Sequence, residues 1–167
     1  MSECKTLTTT KPNIEIKLSK EITSFLKHAR IDTKSVTYED FLANKMLIIA
    51  VIRAGIPYSL FGLIQDYTPF SETDWAGFLD ISTKSLQRYK TSANHHFKPI
   101  HSEKIIELAE VTKVGLDVFS NMDKLRLWLN TPNYALGSQK PIELLRDSYG
   151  KELVISELVR INHGILV

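Results

Sequence analysis

Apolar residues recur at intervals of three and four along much of the chain, and this spacing predicts helices. The longest run, "SEKIIELAEVTKVGLDVF", covers residues 102–119 and has apolar side chains at 105, 106, 108, 109, 111, 114, 116, 118 and 119. A second run, "GKELVISELVRIN", has Leu153, Val154, Leu158, Val159 and Ile161 on one face. No segment has a convincing strand pattern, so the sequence predicts an all-α fold.

The N-terminal third is less regular. Residues 1–13 are polar and rich in threonine, which is typical of a mobile leader, and residues 14–31 alternate weakly at first and then look helical. We therefore predict a variable, partly mobile leader over residues 1–37. The dense apolar run over residues 39–54 predicts one largely buried helix that ends at Gly55, and Pro57 can open the next helix over residues 58–66.

Two adjacent helix starts follow in "FSETDWAGFLDISTKSLQRYK", residues 70–90. Ser71 and Ser82 are good N-caps, and the short turn "DIS" separates the two helices. Asp80 stands where glycine is common in such turns, and aspartate tolerates the left-handed conformation better than most residues. This arrangement predicts a helix-turn-helix.

The second of these helices is the candidate recognition helix. Residues 81–102 contain no aspartate or glutamate but four basic residues and three histidines. Long donors such as Gln87 and Arg88 suit base edges, and lysines suit phosphates. The alternative is a plain helical hairpin with a solvated basic face. The predicted DNA-binding residues are Thr83, Lys84, Ser85, Gln87, Arg88 and Lys90.

Composition narrows the function further. The chain has 167 residues, a net charge of +2 and a pI of about 8.6, so nucleic-acid binding would depend on a local patch. Cys4 is the only cysteine, which excludes an internal disulfide and favours a reducing cytoplasm. The longest apolar run, residues 46–52, is far shorter than the roughly 20 residues of a membrane span. We expect no membrane association.

Candidate chemistry is sparse. His95, His96 and His101 have no cysteine or carboxylate near them in the sequence, which favours surface or phosphate-facing histidines over a metal site. No nucleophile motif, phosphate-binding loop or dinucleotide motif is present. Glu152 and Glu157 are interpreted as a solvated face. We therefore expect neither catalysis, nor a metal, nor a cofactor.

The stretch "WLNTPNYALGSQKPIELL" predicts a compact corner of short helices. Thr131 can cap a turn that Pro132 opens and Gly137 ends, and Pro141 can open another short helix that Gly150 closes. The side chains expected to hold the corner on the core are Trp128, Tyr134 and Leu136.

From this corner to its end, the chain resembles the toxin-binding domain of Xre/MbcA/ParS antitoxins, and the upstream helix-turn-helix resembles their Xre-type part. The resemblance covers roughly residues 40–167. The matching residues are Trp128, Leu129, Thr131, Pro132, Asn133, Ala135, Leu136, Gly137, Pro141, Leu144, Leu145, Gly150, Val154, Leu158, Arg160, Ile161 and Gly164.

The resemblance implies an antitoxin that neutralises a RES-domain, NAD-consuming toxin and represses its own operon as a dimer, without a cofactor. It implies a helix-turn-helix domain over residues 38–101 and a toxin-binding domain over 102–167. Its C-terminal end would lie at or in the toxin's active-site cleft, although the tail could instead fold back or fray. The implied toxin-binding residues are Asn133, Tyr134, Arg160, His163, Gly164, Ile165, Leu166 and Val167.

Two other functions fit the same sequence: a free-standing transcription regulator whose C-terminal part only dimerises, and a partition-type adaptor that binds protein but not DNA. For the dimer, the long helix has more apolar residues than a small domain needs internally. We expect its contact face to include Ile105, Leu108, Ala109, Val114 and Leu116.

Overall fold

The computed structural model describes residues 11–92 and 94–164, and this part of the chain is all-α, with no strand beyond two isolated bridges. Ten α-helices and one 3-10 turn form it. The helices are α1 (Lys11–His28), α2 (Tyr38–Ala43), α3 (Lys45–Ala54), α4 (Tyr58–Asp66), α5 (Glu72–Phe78), α6 (Thr83–Thr91), α7 (Pro99–Phe119), α8 (Met122–Leu129), α9 (Pro141–Leu144) and α10 (Ser148–Asn162), with the 3-10 turn Tyr134–Leu136 between α8 and α9. None of these helices is long and apolar enough to cross a membrane.

Helix α7 is the centre of the fold. It packs against α3 and α4 on the N-terminal side and against α8 and α10 on the C-terminal side. The buried side chains form one continuous apolar cluster that extends from Leu18 to Leu158. The helix-turn-helix and the C-terminal corner therefore share a core.

The predicted leader over residues 1–37 is structured from residue 11 onward. Helix α1 packs against α4 and buries Leu18, Ile22 and Leu26 completely. These residues recur at intervals of four, which places them on one helical face, but polar residues between them weaken the pattern. Helix α1 agrees with the helical pattern of residues 14–31, but it is a layer of the core and not part of a separate leader; residues 1–10 lie outside the described residues.

The apolar face that we assigned to a dimer contact is instead interior to the chain. Ile105, Leu108 and Ala109 have no exposed area, and α7 packs along this length against α3 and α10. Val114 and Leu116 are half-buried against the same cluster. The apolar residues looked excessive because the sequence did not reveal that α7 is covered by helices from both halves of the chain.

The helix predicted over residues 39–54 is broken at Asn44. This residue ends α2, and its side-chain oxygen accepts a hydrogen bond from the Leu47 amide at 3.0 Å to begin α3. The predicted end at Gly55 is confirmed. Gly55 has φ +84°, and a Cβ there would lie 2.7 Å from the carbonyl oxygen of Phe97. Glycine is therefore required where this helix end meets the segment after α6.

A half-buried carboxylate ties α7 to both flanking helices. Glu110 accepts hydrogen bonds from Lys45 at the start of α3 and from Lys151, 2.7 Å away, in α10. Burial alone would raise the pKa of Glu110, but the hydrogen bonds from the two ammonium groups outweigh it and hold that pKa below its usual value. The ion pairs thus link three helices across the chain.

Candidate functional site

The two predicted caps of the helix-turn-helix are confirmed. The Ser71 hydroxyl accepts from the Asp74 amide at 3.1 Å, and the Asp74 carboxylate accepts in return from the Ser71 amide at 2.9 Å, which is a complete capping box. Ser82 begins α6 in the same way, accepting from the Ser85 amide at 3.0 Å. Each cap satisfies amides that the first turn of a helix leaves without partners.

The turn between α5 and α6 has the predicted left-handed residue. Asp80 has φ +52°. The Ile81 amide then donates to the carbonyl of Ala76 at 3.0 Å and closes the turn. Ala76 is buried under this turn, where a larger side chain would separate the two helices. Aspartate replaces the usual glycine here without changing the geometry.

Helix α6 buries one face and exposes a basic one. Leu86 is its buried anchor, and Tyr89 is half-buried. Of the predicted DNA-binding residues, Ser85 is half-buried against the Ser82 hydroxyl. The other five are exposed: Thr83, Lys84, Gln87, Arg88 and Lys90. A shallow surface depression is lined by Ser82, Lys84, Ser85, Gln87, Arg88 and Thr91.

The histidines after α6 support this helix, which the sequence did not reveal. The His95 ring stacks on the Tyr89 ring with centroids 3.7 Å apart and planes 8° from parallel. Burial lowers the pKa of His95, and His96, His101 and Arg88 lower it further. Burial also lowers the pKa of His101. Within the described residues, no cluster of three His, Cys, Asp or Glu side chains could hold a metal ion.

The C-terminal corner is capped differently from the prediction. Thr131 does not cap the short turn; its hydroxyl donates to the Leu127 carbonyl at 2.7 Å and extends α8. Asn133 is the cap, because its side-chain oxygen accepts from the Ala135 amide at 2.9 Å. Gly137 ends the turn with φ +67°, as predicted. The predicted cap is therefore wrong by two residues, because the turn begins after Pro132 and not at it.

Two aromatic residues of the corner have opposite environments. Trp128 is half-buried and its ring lies 5.8 Å from that of Phe119, so it does hold the corner on the core. Tyr134 is 92% exposed and holds nothing, which corrects one of our two interpretations of it. Leu127, which immediately precedes the corner, is 70% exposed. The pattern of α8 gave no reason to single out Leu127.

Gly150 lies inside α10 and does not close the preceding helix. Asp147 is the N-cap of α10, and its carboxylate accepts from the Gly150 amide at 2.7 Å. A Cβ on Gly150 would lie 1.8 Å from the carbonyl oxygen of Leu144. The prediction that Gly150 ends a helix was wrong, because the glycine is required by close backbone contact.

The end of α10 matches the prediction, but its charged residues do not. The helix ends at Asn162, and Gly164 has φ +67°. Glu157 is buried and accepts from Arg160 at 2.9 Å, so it is not part of a solvated face. Arg160 is half-buried in that ion pair, and His163 is exposed. The predicted tail residues Ile165, Leu166 and Val167 lie outside the described residues.

The helix before the corner contacts the segment that leads into the helix-turn-helix. Arg126 of α8 donates from Nε to the carbonyl of Pro69 at 3.2 Å, just before the cap of α5. The 3-10 turn packs against α10, so the exposed Tyr134 belongs to the same C-terminal unit as that helix. The arrangement defines a class of protein: an all-α protein in which a helix-turn-helix precedes a small helical unit with its own exposed surface.

Comparison with known proteins gives this class a family. Residues 47–110 match the antitoxin Xre-like helix-turn-helix domain, and residues 115–164 match the antitoxin Xre/MbcA/ParS C-terminal toxin-binding domain. An antitoxin Xre from Photorhabdus laumondii is 27% identical over 118 residues, which cover 70% of this chain and 79% of that protein. The chain belongs to the Xre/MbcA/ParS antitoxin family, as the sequence resemblance predicted.

A solved structure has a similar fold. A chain of the M. tuberculosis MbcT–MbcA toxin–antitoxin complex superposes with a TM-score of 0.51 at 22% identity, covering 64% of this chain and 94% of that chain. The two family matches meet between residues 110 and 115, inside α7. A helix-turn-helix domain therefore precedes a C-terminal toxin-binding domain, and one helix runs through both.

Proposed function

We propose that this antitoxin neutralises a RES-domain, NAD-consuming toxin in the cytoplasm and represses its own operon by binding operator DNA. The observation that carries the first half is the match of residues 115–164 to a toxin-binding domain, together with the exposed Tyr134 and Leu127 on that domain. Large apolar and aromatic side chains that are exposed on one domain are typical of a protein-binding surface. The toxin class in this proposal is what the family resemblance implies.

Co-expression with the adjacent gene tests the toxin half. We expect the two proteins to co-purify, and we expect growth arrest when the neighbour is expressed alone. A neighbour that consumes NAD in vitro would identify the toxin class. A neighbour that neither binds the chain nor arrests growth would leave the transcription regulator as the better description.

Repression depends on the exposed face of α6. Thr83, Lys84, Gln87, Arg88 and Lys90 are exposed together, Ser85 lies among them, and the shallow depression follows the same face. Guanidinium and amide groups can pair with base edges, and ammonium groups with phosphates. The caps at Ser71 and Ser82 fix the orientation of both helices.

We expect Arg88→Ala to weaken operator binding by about 1–3 kcal/mol and to relax base preference, if the guanidinium makes a bidentate base contact. Lys84→Ala should weaken binding to a similar extent on every sequence and reduce its salt dependence. Gel-shift titrations on the promoter and on scrambled DNA measure both effects. Arg53→Ala is a matched control, because Arg53 is exposed in α3, outside the helix-turn-helix. Unchanged affinity in both α6 variants would contradict the assignment.

We also propose a homodimer, which would place two recognition helices in successive major grooves, roughly 34 Å apart. The contact must use side chains that are exposed in the single chain. Met46 is 75% exposed and Ile49 is 39% exposed on α3, and Leu153 is 55% exposed on α10. We expect light scattering at micromolar concentration to give twice the mass of one chain. A single-chain mass that operator DNA does not change would refute the dimer.

A further inference from the structure

The segment after α6 is held firmly against α4. The His95 carbonyl accepts from the Tyr58 amide at 2.9 Å, Phe97 donates its amide to the Ile56 carbonyl at 2.8 Å, and His96 pairs with Pro57 in an isolated bridge. Phe97 is almost fully buried. These bonds hold the His95 carbonyl and the backbone that follows it against the start of α4, so the His95 side chain projects from a segment that is anchored on its C-terminal side.

From this position the His95 ring reaches the recognition helix. It lies parallel to the Tyr89 ring, 3.7 Å between centroids, and meets the Phe97 ring edge-on at 4.8 Å. Tyr89 itself meets Phe97 edge-on at 5.9 Å. Tyr89 follows Arg88 directly, so the stack fixes the turn of α6 that presents Arg88. The N-terminal end of α6 is fixed separately, by the Ser82 cap and by Leu86.

We propose that His95 is a positioning residue for DNA binding, which holds the C-terminal half of the recognition helix through its stack on Tyr89. The inference deepens the proposed DNA-binding function and rests on it. It assigns a role to a histidine that lies outside the predicted DNA-binding residues of α6. Aromatic pairs contribute about 0.5–1.5 kcal/mol beyond the area they bury, which corresponds to roughly a two- to twelvefold change in an equilibrium constant.

The environment of His95 favours the neutral ring. Its Nε2 is buried and has no hydrogen-bond partner among the described residues. The charged and titratable groups that face the ring are Arg88 in α6, His101 in α7 and the adjacent His96. Each of them disfavours a positive charge on His95. Because the folded pKa lies below the usual value, the stability that the neutral ring contributes is complete above about pH 6.5 and is lost as the pH falls toward the lowered pKa.

The test compares His95→Ala, which removes the stack, with His95→Phe, which keeps a flat ring that cannot be protonated. We expect His95→Ala to weaken operator binding roughly two- to twelvefold at pH 7.5, and His95→Phe to stay close to wild type. On lowering the pH to 5.5, wild type should lose affinity relative to His95→Phe. His96→Ala is the matched control, because His96 is exposed and adjacent.

Hydrogen exchange gives a readout that does not depend on DNA. In His95→Ala we expect faster exchange of the amides over residues 88–91, with those of α5 unchanged. If wild type binds no promoter DNA but the exchange result holds, the proposed function fails and the positioning role stands. If His95→Ala exchanges and binds like wild type, or if wild type and His95→Phe respond identically to pH, the inference is overturned.

Discussion

Replacing Gly150 with alanine should destabilise the whole protein by at least about 3 kcal/mol. The new Cβ would lie 1.8 Å from the Leu144 carbonyl oxygen. The obstacle is backbone, so no side-chain rotation can relieve the clash. Either α10 moves away from α9 or the Asp147 cap opens, and both changes disturb the packing of Val154 and Leu158, which are fully buried. Thermal unfolding should show Tm lowered by roughly 6–12 °C.

The matched control is the same substitution at Gly62, inside α4. The nearest atom to a Cβ there is Tyr58 Cε1, 3.8 Å away, which is an ordinary contact. Alanine is a better helix former than glycine, so Gly62→Ala should stabilise the protein by about 0.5–1 kcal/mol. Opposite signs at the two glycines would establish that contact, and not helix propensity, decides Gly150. A Gly150→Ala protein as stable as wild type would mean that α9 and α10 are not this close.

Deleting residues 163–167 should release toxin activity while leaving the fold intact. The described part of this segment, His163 and Gly164, is exposed and outside the core, and it is joined to α10 only through backbone hydrogen bonds from its amides to Val159 and Ile161. Inhibition is assigned to this end because the family resemblance implies that it lies at the toxin's active-site cleft. We expect purified toxin to consume NAD in the presence of the truncated protein but not the full-length one.

The controls separate loss of inhibition from loss of folding. The truncated protein should keep the Tm of wild type and its operator affinity, since α10 ends at Asn162 and α6 is on another part of the chain. If truncation leaves inhibition unchanged, the C-terminal end is not the inhibitor. The exposed Tyr134 would then be the residue to change, and Tyr134→Ala should weaken toxin binding without lowering Tm.

Local chemistry explains which parts of the fold the sequence could predict. Caps and turns depend on a few neighbouring residues, so the starts at Ser71 and Ser82, the left-handed Asp80 and the end at Gly55 were all predictable. The exposed face of α6 followed from the spacing of Leu86 and Tyr89. These features need no information about distant parts of the chain.

Errors arose where distant residues decide the outcome. The depth at which α7 is buried depends on α3 and α10, which pack on it from both sides along the chain, so interior residues such as Leu108 were taken for a dimer face. Gly150 could be a helix end or a close contact, and only the position of Leu144 decides between them. The His95 ring stacks on Tyr89 while the segment after α6 is hydrogen-bonded to the start of α4, and the sequence does not show that this segment meets α4.

Because α7 runs through both domains, it limits how the two domains of such antitoxins can be exchanged between proteins. Consider a hybrid of two such antitoxins, joined near residues 110–115 where the two domain matches meet. Each half of its α7 would come from a different parent, although both halves pack into one continuous core. We therefore expect exchanged halves to pack poorly at this boundary. Substitution on the exposed surfaces of α6 and of the corner would leave this packing unchanged, so it is the readier route to new binding properties.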